Sequence, residues 1–250
     1  MQGQTECLSE NERVENAFEY KFLTNELVPL QNPVGECIRY DGLEGQKYMH
    51  GINPYTWLEE HALGGACYGH TNLVPAFVRA YIKETGASVV AVHTAKGSTQ
   101  ASQWLPDTEN YRVLKEKVQG AVKKASVEFE IEHIYFVWLQ GESDALSSNT
   151  KKNYKNQLRE IFASLRELGV ERFGIIRVGR FANDDRDLEI ISAQDEICES
   201  DEFFVMLTKI AVELNEKEDM MNPQCAGHFS AKGLETLGTA AGKALGAMRG

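Results

Sequence analysis

The stretch HIYFVWLQGESDAL, residues 133–146, decides how the rest of the chain is read. Its first seven residues are an apolar run rich in aromatic and β-branched side chains. That length suits a buried strand and is short for a helix. The run then gives way to a glutamine, a glycine and two acids. Polar side chains at the tip of a buried strand belong either to a loop or to a site, and their neighbours must say which.

Outward from this stretch the pattern is regular. SVVAVHTA (88–95) is a second continuous apolar run, expected to be a strand buried on both faces. Segments 173–179 and 202–207 are further strands. Helical spacing covers 72–86, where Leu73, Val74, Phe77, Val78, Tyr81 and Ile82 share one face. It recurs over 110–125, 150–168, 187–199 and 231–248. Strands alternating with helices of this length imply right-handed βαβ units, a mostly parallel sheet and helices on both faces: a three-layer α/β sandwich. Residues 1–70 are less regular, with a candidate strand at 18–24 and a short helix at 54–63. No repeat or linker is visible, so 1–250 is read as a single domain.

Composition bounds the function. The chain has 250 residues, is 42% apolar and 25% charged, and carries a net charge of −11. That balance argues against nucleic acid and against an anionic membrane surface as partners. The five cysteines (Cys7, Cys37, Cys67, Cys198 and Cys225) are odd in number, scattered and without a CxxC pair. They read as reduced thiols of a cytoplasmic compartment rather than a disulfide framework or a zinc site. No apolar stretch approaches the roughly 18 residues needed to span a bilayer. The N-terminus has no secretory pattern, though a signal already removed would leave none. The remaining histidines, among them His93 inside an apolar strand, have no metal-ligand spacing. No metal or cofactor is implied.

In open parallel sheets ligands bind outside the carboxyl ends of the strands. Three polar clusters fall there: Lys96-Gly97-Ser98-Thr99 with Trp104, Gln140-Gly141-Glu142-Ser143-Asp144, and Gly227-His228-Phe229-Ser230 ahead of the last helix. They should converge on one edge of the sheet. The first lacks the frame of a phosphate loop. Gln140, Glu142 and Asp144 lie too far from the helix beginning near Thr150 to be its N-caps.

These blocks carry a resemblance. GQTE (3–6), KGSTQASQW (96–104), QGESD (140–144) and CAGHFSAKG (225–233) resemble, in order, the blocks of SGNH (GDSL-type) hydrolases of the sialic-acid-acetylesterase-like branch, the carbohydrate O-acetylesterases. The resemblance implies a doubly wound, flavodoxin-like sandwich that removes O-acetyl groups from a small-molecule or oligosaccharide substrate. It places the hydroxyl of Thr5 as nucleophile, with Gln4 beside it, and His228 as base. The oxyanion would be held by the backbone N–H groups of Thr5 and Gly97 and by the Gln140 amide, each worth roughly 2.7–4 kcal/mol. Glu142 and Asp144 would hold the loop. Ser98 would be a turn residue, and Trp104 either a core aromatic or a platform for a sugar.

The chain departs from the family pattern. Thr5 stands where the family has serine, and its methyl group stiffens the side chain. Glu6 replaces an asparagine. Cys225 occupies the place of the acid that orients the histidine, so Asp219 is the candidate acid, with a backbone carbonyl as the alternative orienter. The family also has a central strand immediately before its first block, and here that strand is expected to be truncated. These departures motivate a second reading, a degenerate member that binds carbohydrate without turnover. A nucleotide- or flavin-binding domain of flavodoxin type is a remote third. A homo-oligomer is compatible with all of them.

Overall fold

The computed structural model describes residues 13–32, 34–35, 72–223 and 226–248. Strands β1 (Ala17–Lys21) and β2 (Glu26–Pro29) form a hairpin, turned at Asn25 in the left-handed region. Then follow α1 (Val74–Thr85), β3 (Val89–Ala91), a 3₁₀ turn (Ala101–Trp104), α2 (Glu109–Ala125), β4 (Tyr135–Trp138), α3 (Glu142–Leu146) and α4 (Lys151–Arg166). The chain continues through β5 (Arg172–Ile176), α5 (Asp185–Ser200), β6 (Phe204–Thr208), α6 (Ala211–Asn215) and α7 (Ala231–Ala247). The expected helices are present. The 88–95 run supplies a strand of only three residues, the candidate strand at 18–24 is present as β1, and β2 and α6 had no clear periodic signal. The proposed helix at 54–63 lies outside the described residues.

The sandwich is the mixed α/β architecture expected, but its sheet is in two parts among the described residues. One part has the order β2-β1-β3, with β1 antiparallel to β2 and parallel to β3. The other has the order β4-β5-β6 and is all parallel. Side chains alternate across the second part as the two-residue period requires. Phe136, Trp138, Phe173, Ile175 and Phe204 face α2, α4 and α5, where they meet Leu114, Leu158, Ile161, Leu165, Ile190 and Ile197. Tyr135, Val137, Ile176, Val205 and Leu207 face the opposite layer of α1 and α7.

That opposite layer is unusually close. A Cβ placed on Gly242 would lie 2.0 Å from the Phe77 carbonyl oxygen, and one on Gly238 2.5 Å from that of Leu73. Glycine at four-residue spacing thus lets α7 rest directly on the backbone of α1, with Leu237, Ala241 and Leu245 filling the seam. Helices α2, α4 and α7 begin on side-chain caps. Thr108, Thr150 and Ser230 accept from the backbone N–H three residues on, which satisfies an otherwise orphaned donor.

Candidate active site

β4 ends at Trp138, and the chain turns at Gly141 with φ of 154°, a conformation that favours glycine. A side chain there would also strike Ile190 Cγ2 at 2.7 Å. Glu142 opens the short helix α3 directly after that turn. So the two acids sit on the first turn of a short helix, where the sequence predicts a loop.

Asp144 is fully buried and organises the site. Its Oδ2 accepts from the Ala101 backbone N–H at 2.9 Å and from the Gln140 amide at 2.5 Å. Its Oδ1 accepts from Asn149 Nδ2 at 2.7 Å. One carboxylate therefore ties the loop after β3, the tip of β4 and the approach to α4 together. Charge-assisted bonds of this kind are about twice as strong as neutral ones.

Gln140 is held from several sides. Its Nε2 donates to the Thr99 carbonyl at 2.9 Å as well as to Asp144. Its backbone carbonyl accepts from Tyr154 Oη and from Gln194 Nε2, both at 2.8 Å. The Tyr154 hydroxyl also accepts from Trp138 Nε1 and from Gln194. Burial pushes the Tyr154 phenol well above its ordinary pKa, so it stays a neutral donor. Tyr154 and Gln194 are both fully buried, and the sequence reading missed them. The available signal was a glutamine on the buried face of an otherwise apolar helical stripe.

The 96–104 loop is shaped around Thr99. Its Oγ1 donates to the Lys96 carbonyl and accepts from Trp104 Nε1 at 3.0 Å. Trp104 is only 4% exposed and packs edge-on against Trp138, so it is a core residue and not a sugar platform. Gly97 and Ser98 are exposed at the tip, with Ser98 left-handed at φ of 58°. Ser98 is thus the turn residue expected.

His228 arrives from the other side of the sheet edge. An isolated antiparallel bridge pairs Met221 with Phe229, and the His228 carbonyl accepts from the Asn222 N–H at 2.7 Å. The ring meets Phe181 edge-on at 5.7 Å, and Nδ1 lies 3.0 Å from the Ala226 carbonyl. A nitrogen facing a carbonyl carries the proton, which leaves Nε2 as the basic nitrogen. Phe181 is in turn fixed by Asp187, whose carboxylate accepts the N–H groups of Phe181, Ala182 and Asn183. Asp187 was read only as the start of a helix. Burial raises the pKa of Glu142, and the nearby His228 opposes that rise. Glu142 and His228 therefore share one electrostatic environment.

Asp219 is not brought to His228. It is exposed, its carboxylate is paired with Lys232 in the first turn of α7, and its backbone carbonyl accepts from Ser230. The ammonium partner holds the Asp219 carboxyl below its usual range. The backbone carbonyl of Ala226 takes the orienting place instead. Gln4, Thr5, Glu6 and Cys225 lie outside the described residues.

The fold is that of an SGNH-type α/β sandwich, and the class of the protein follows from its family. A family model for carbohydrate esterases, described as sialic acid-specific acetylesterase, matches residues 67–246, and the chain belongs to this family. No curated protein matches the chain. Among solved structures it is similar to a protein of Arabidopsis thaliana determined by X-ray crystallography, with 16% identity and a TM-score of 0.60. That similarity covers 93% of this chain and 81% of the other, and it supports the fold.

Proposed function

We propose that the chain removes O-acetyl groups from sugars through an acyl-enzyme at Thr5. The Thr5 hydroxyl attacks the acetyl carbonyl while His228 Nε2 takes its proton. His228 then protonates the departing sugar oxygen, and water releases acetate by the same base. The Ala226 carbonyl fixes the ring tautomer, and Glu142 lies within electrostatic reach of the imidazolium as it forms. The N–H groups of Thr5 and Gly97 hold the oxyanion, with the Gln140 amide as third donor once it gives up the Thr99 carbonyl. The observation that carries this reading is the convergence of the Gln140 block and the 96–104 loop, joined by Asp144, at the sheet edge where Glu142 feels His228. The substrate is an acetylated mono- or oligosaccharide, and the setting is a cytoplasmic one.

One observation favours a second reading, carbohydrate binding without turnover. Both hydrogens of the Gln140 amide already donate within the protein. Acetate release from p-nitrophenyl acetate and from O-acetylated sugars separates the two. The chain, Thr5→Ser, and Thr5→Ser with His228→Ala are compared. The esterase reading expects Thr5→Ser to be the most active and the double variant to be inert. Calorimetric binding of acetylated sugars with no acetate from any version would establish the second reading in its place.

A further inference from the structure

The segment 179–183 leads from β5 to α5 and is pinned from two sides. The Arg180 N–H donates to Asn215 Oδ1, on α6, at 2.6 Å. Further on, Asp187 is 1% exposed and accepts the backbone N–H groups of Phe181 at 3.2 Å, Ala182 at 3.0 Å and Asn183 at 2.7 Å. Asn183 is left-handed, with φ of 59°. One buried carboxylate on the first turn of α5 thus reaches back and satisfies three donors of a single turn. That leaves the Phe181 backbone little freedom.

From this turn Phe181 touches the histidine loop twice. A Cβ on Gly227 would lie 2.4 Å from two carbons of the Phe181 ring, so bare backbone rests against that ring. Gly227 is also left-handed, at φ of 76°, and both demands exclude a side chain there. The Phe181 ring then meets His228 with 5.7 Å between centroids and 89° between planes. The Ala226 carbonyl lies 3.0 Å from Nδ1 of the same imidazole. A hydrogen bond at one atom does not set the plane of a ring, whereas a contact with the ring itself does.

We propose that Asp187 and Phe181 are positioning residues for His228. The Asp187 carboxylate fixes the 181–183 turn, and the turn fixes the Phe181 ring. That ring keeps His228 Nδ1 on the Ala226 carbonyl and so presents Nε2 as the base. The inference rests on the reading of His228 as the base. Both residues act through the His228 ring. An edge-on aromatic pair biases a local equilibrium by roughly two- to tenfold, and removing it should cost turnover on that scale rather than substrate binding.

The test uses the full chain, isotope-labelled at the histidine nitrogens, with His228→Ala to assign the ring signals. NMR at about pH 8, where histidine is neutral, reads the tautomer in the unsubstituted chain, Phe181→Tyr, Phe181→Leu and Asp187→Asn. Acetate release is measured for the same substitutions in the Thr5→Ser background. The proposal expects a single tautomer, protonated at Nδ1, in the unsubstituted chain and in Phe181→Tyr, and a mixture of the two in Phe181→Leu and Asp187→Asn. In those two variants kcat should fall by about three- to tenfold with KM unchanged, and Phe181→Tyr should keep the full rate. If no version releases acetate, the esterase reading fails, while the tautomer still decides this proposal. A single Nδ1 tautomer kept by both Phe181→Leu and Asp187→Asn, whatever their Tm, would overturn it and mark the two residues as ordinary packing. So would a mixture of tautomers already present in the unsubstituted chain.

Discussion

The half-sheet β4-β5-β6 and the half-sheet β2-β1-β3 have equal strand numbers and very different cores. In the first, Phe173 is fully buried, and its ring lies within 6 Å of the rings of Phe136, Trp138, Phe162 and Phe204. In the second, the buried cluster among the described residues is Val14, Ala17, Leu30, Val34 and Val78, with Phe77 packed against it only partly buried. The site follows this asymmetry. Its most rigid part, the tip of β4 with Gln140 and Asp144, is built on the aromatic half. Gly97 and Ser98 project from the thinner half and are tied back to β4 through Thr99 and Ala101. A loop can thus be held firmly by a weakly cored element if one buried carboxylate links it to a strong one.

The sharpest way to break this comparison is to make equivalent truncations in the two halves. Phe173→Ala should cost about 3–5 kcal/mol in denaturant unfolding. Val90→Ala, on the half-buried β3, should cost about 1 kcal/mol or less. Equal losses would show that the second half is cored as firmly as the first. Asp144→Ala strands three donors from three segments and should destabilise by about 3 kcal/mol. Its distinctive readout is faster exchange at the Ala101 amide, and an unchanged amide there would disprove the link between the halves.

The helix pair α1–α7 flanks both halves and offers a smaller effect. Gly242→Ala forces a methyl group into the backbone of α1 and should lower stability by about 1–3 kcal/mol, read as a shift in Tm. The same change at Gly97, where a Cβ meets nothing within 4 Å, should leave Tm within about 0.5 kcal/mol of unchanged stability.

A pH-dependent effect concerns His93, two residues past the end of β3. Removal from water, then Lys117 and Lys21, lowers its pKa to about 3. The unfolded chain therefore binds a proton that the folded chain does not between about pH 6.5 and 3, and stability falls as pH drops through that window. Its share between pH 7 and 5 should be about 2 kcal/mol. His93→Gln should flatten the pH dependence of Tm by that amount, and an unaltered profile would place the proton elsewhere.

Much of the fold was legible because burial writes a period into the sequence. The runs at 133–139 and 173–179 and the helical stripes at 72–86 and 150–168 each match an element. The strand at 88–95 was overestimated for the same reason: an apolar run records a preference for burial, while strand length depends on a partner's edge. That the polar clusters at 96–104 and 140–144 meet was legible because polar residues at strand tips have few structural uses. Tyr154 and Gln194 were not, since a buried hydrogen-bonding residue on an apolar stripe looks like ordinary core.

By itself, the sequence determined the α/β class, the order of the elements and the three clusters at the carboxyl edge. These follow from local spacing and from the chemistry of residue types. Only the tertiary structure decided that Asp219 goes to Lys232 while a backbone carbonyl holds the His228 ring, that Trp104 belongs to the core, and that β3 pairs with β1 while β4 pairs with β5. Each is a choice among partners far apart in the chain. Such choices depend on which charges and backbone edges come within a few ångströms of one another, and no periodicity records that.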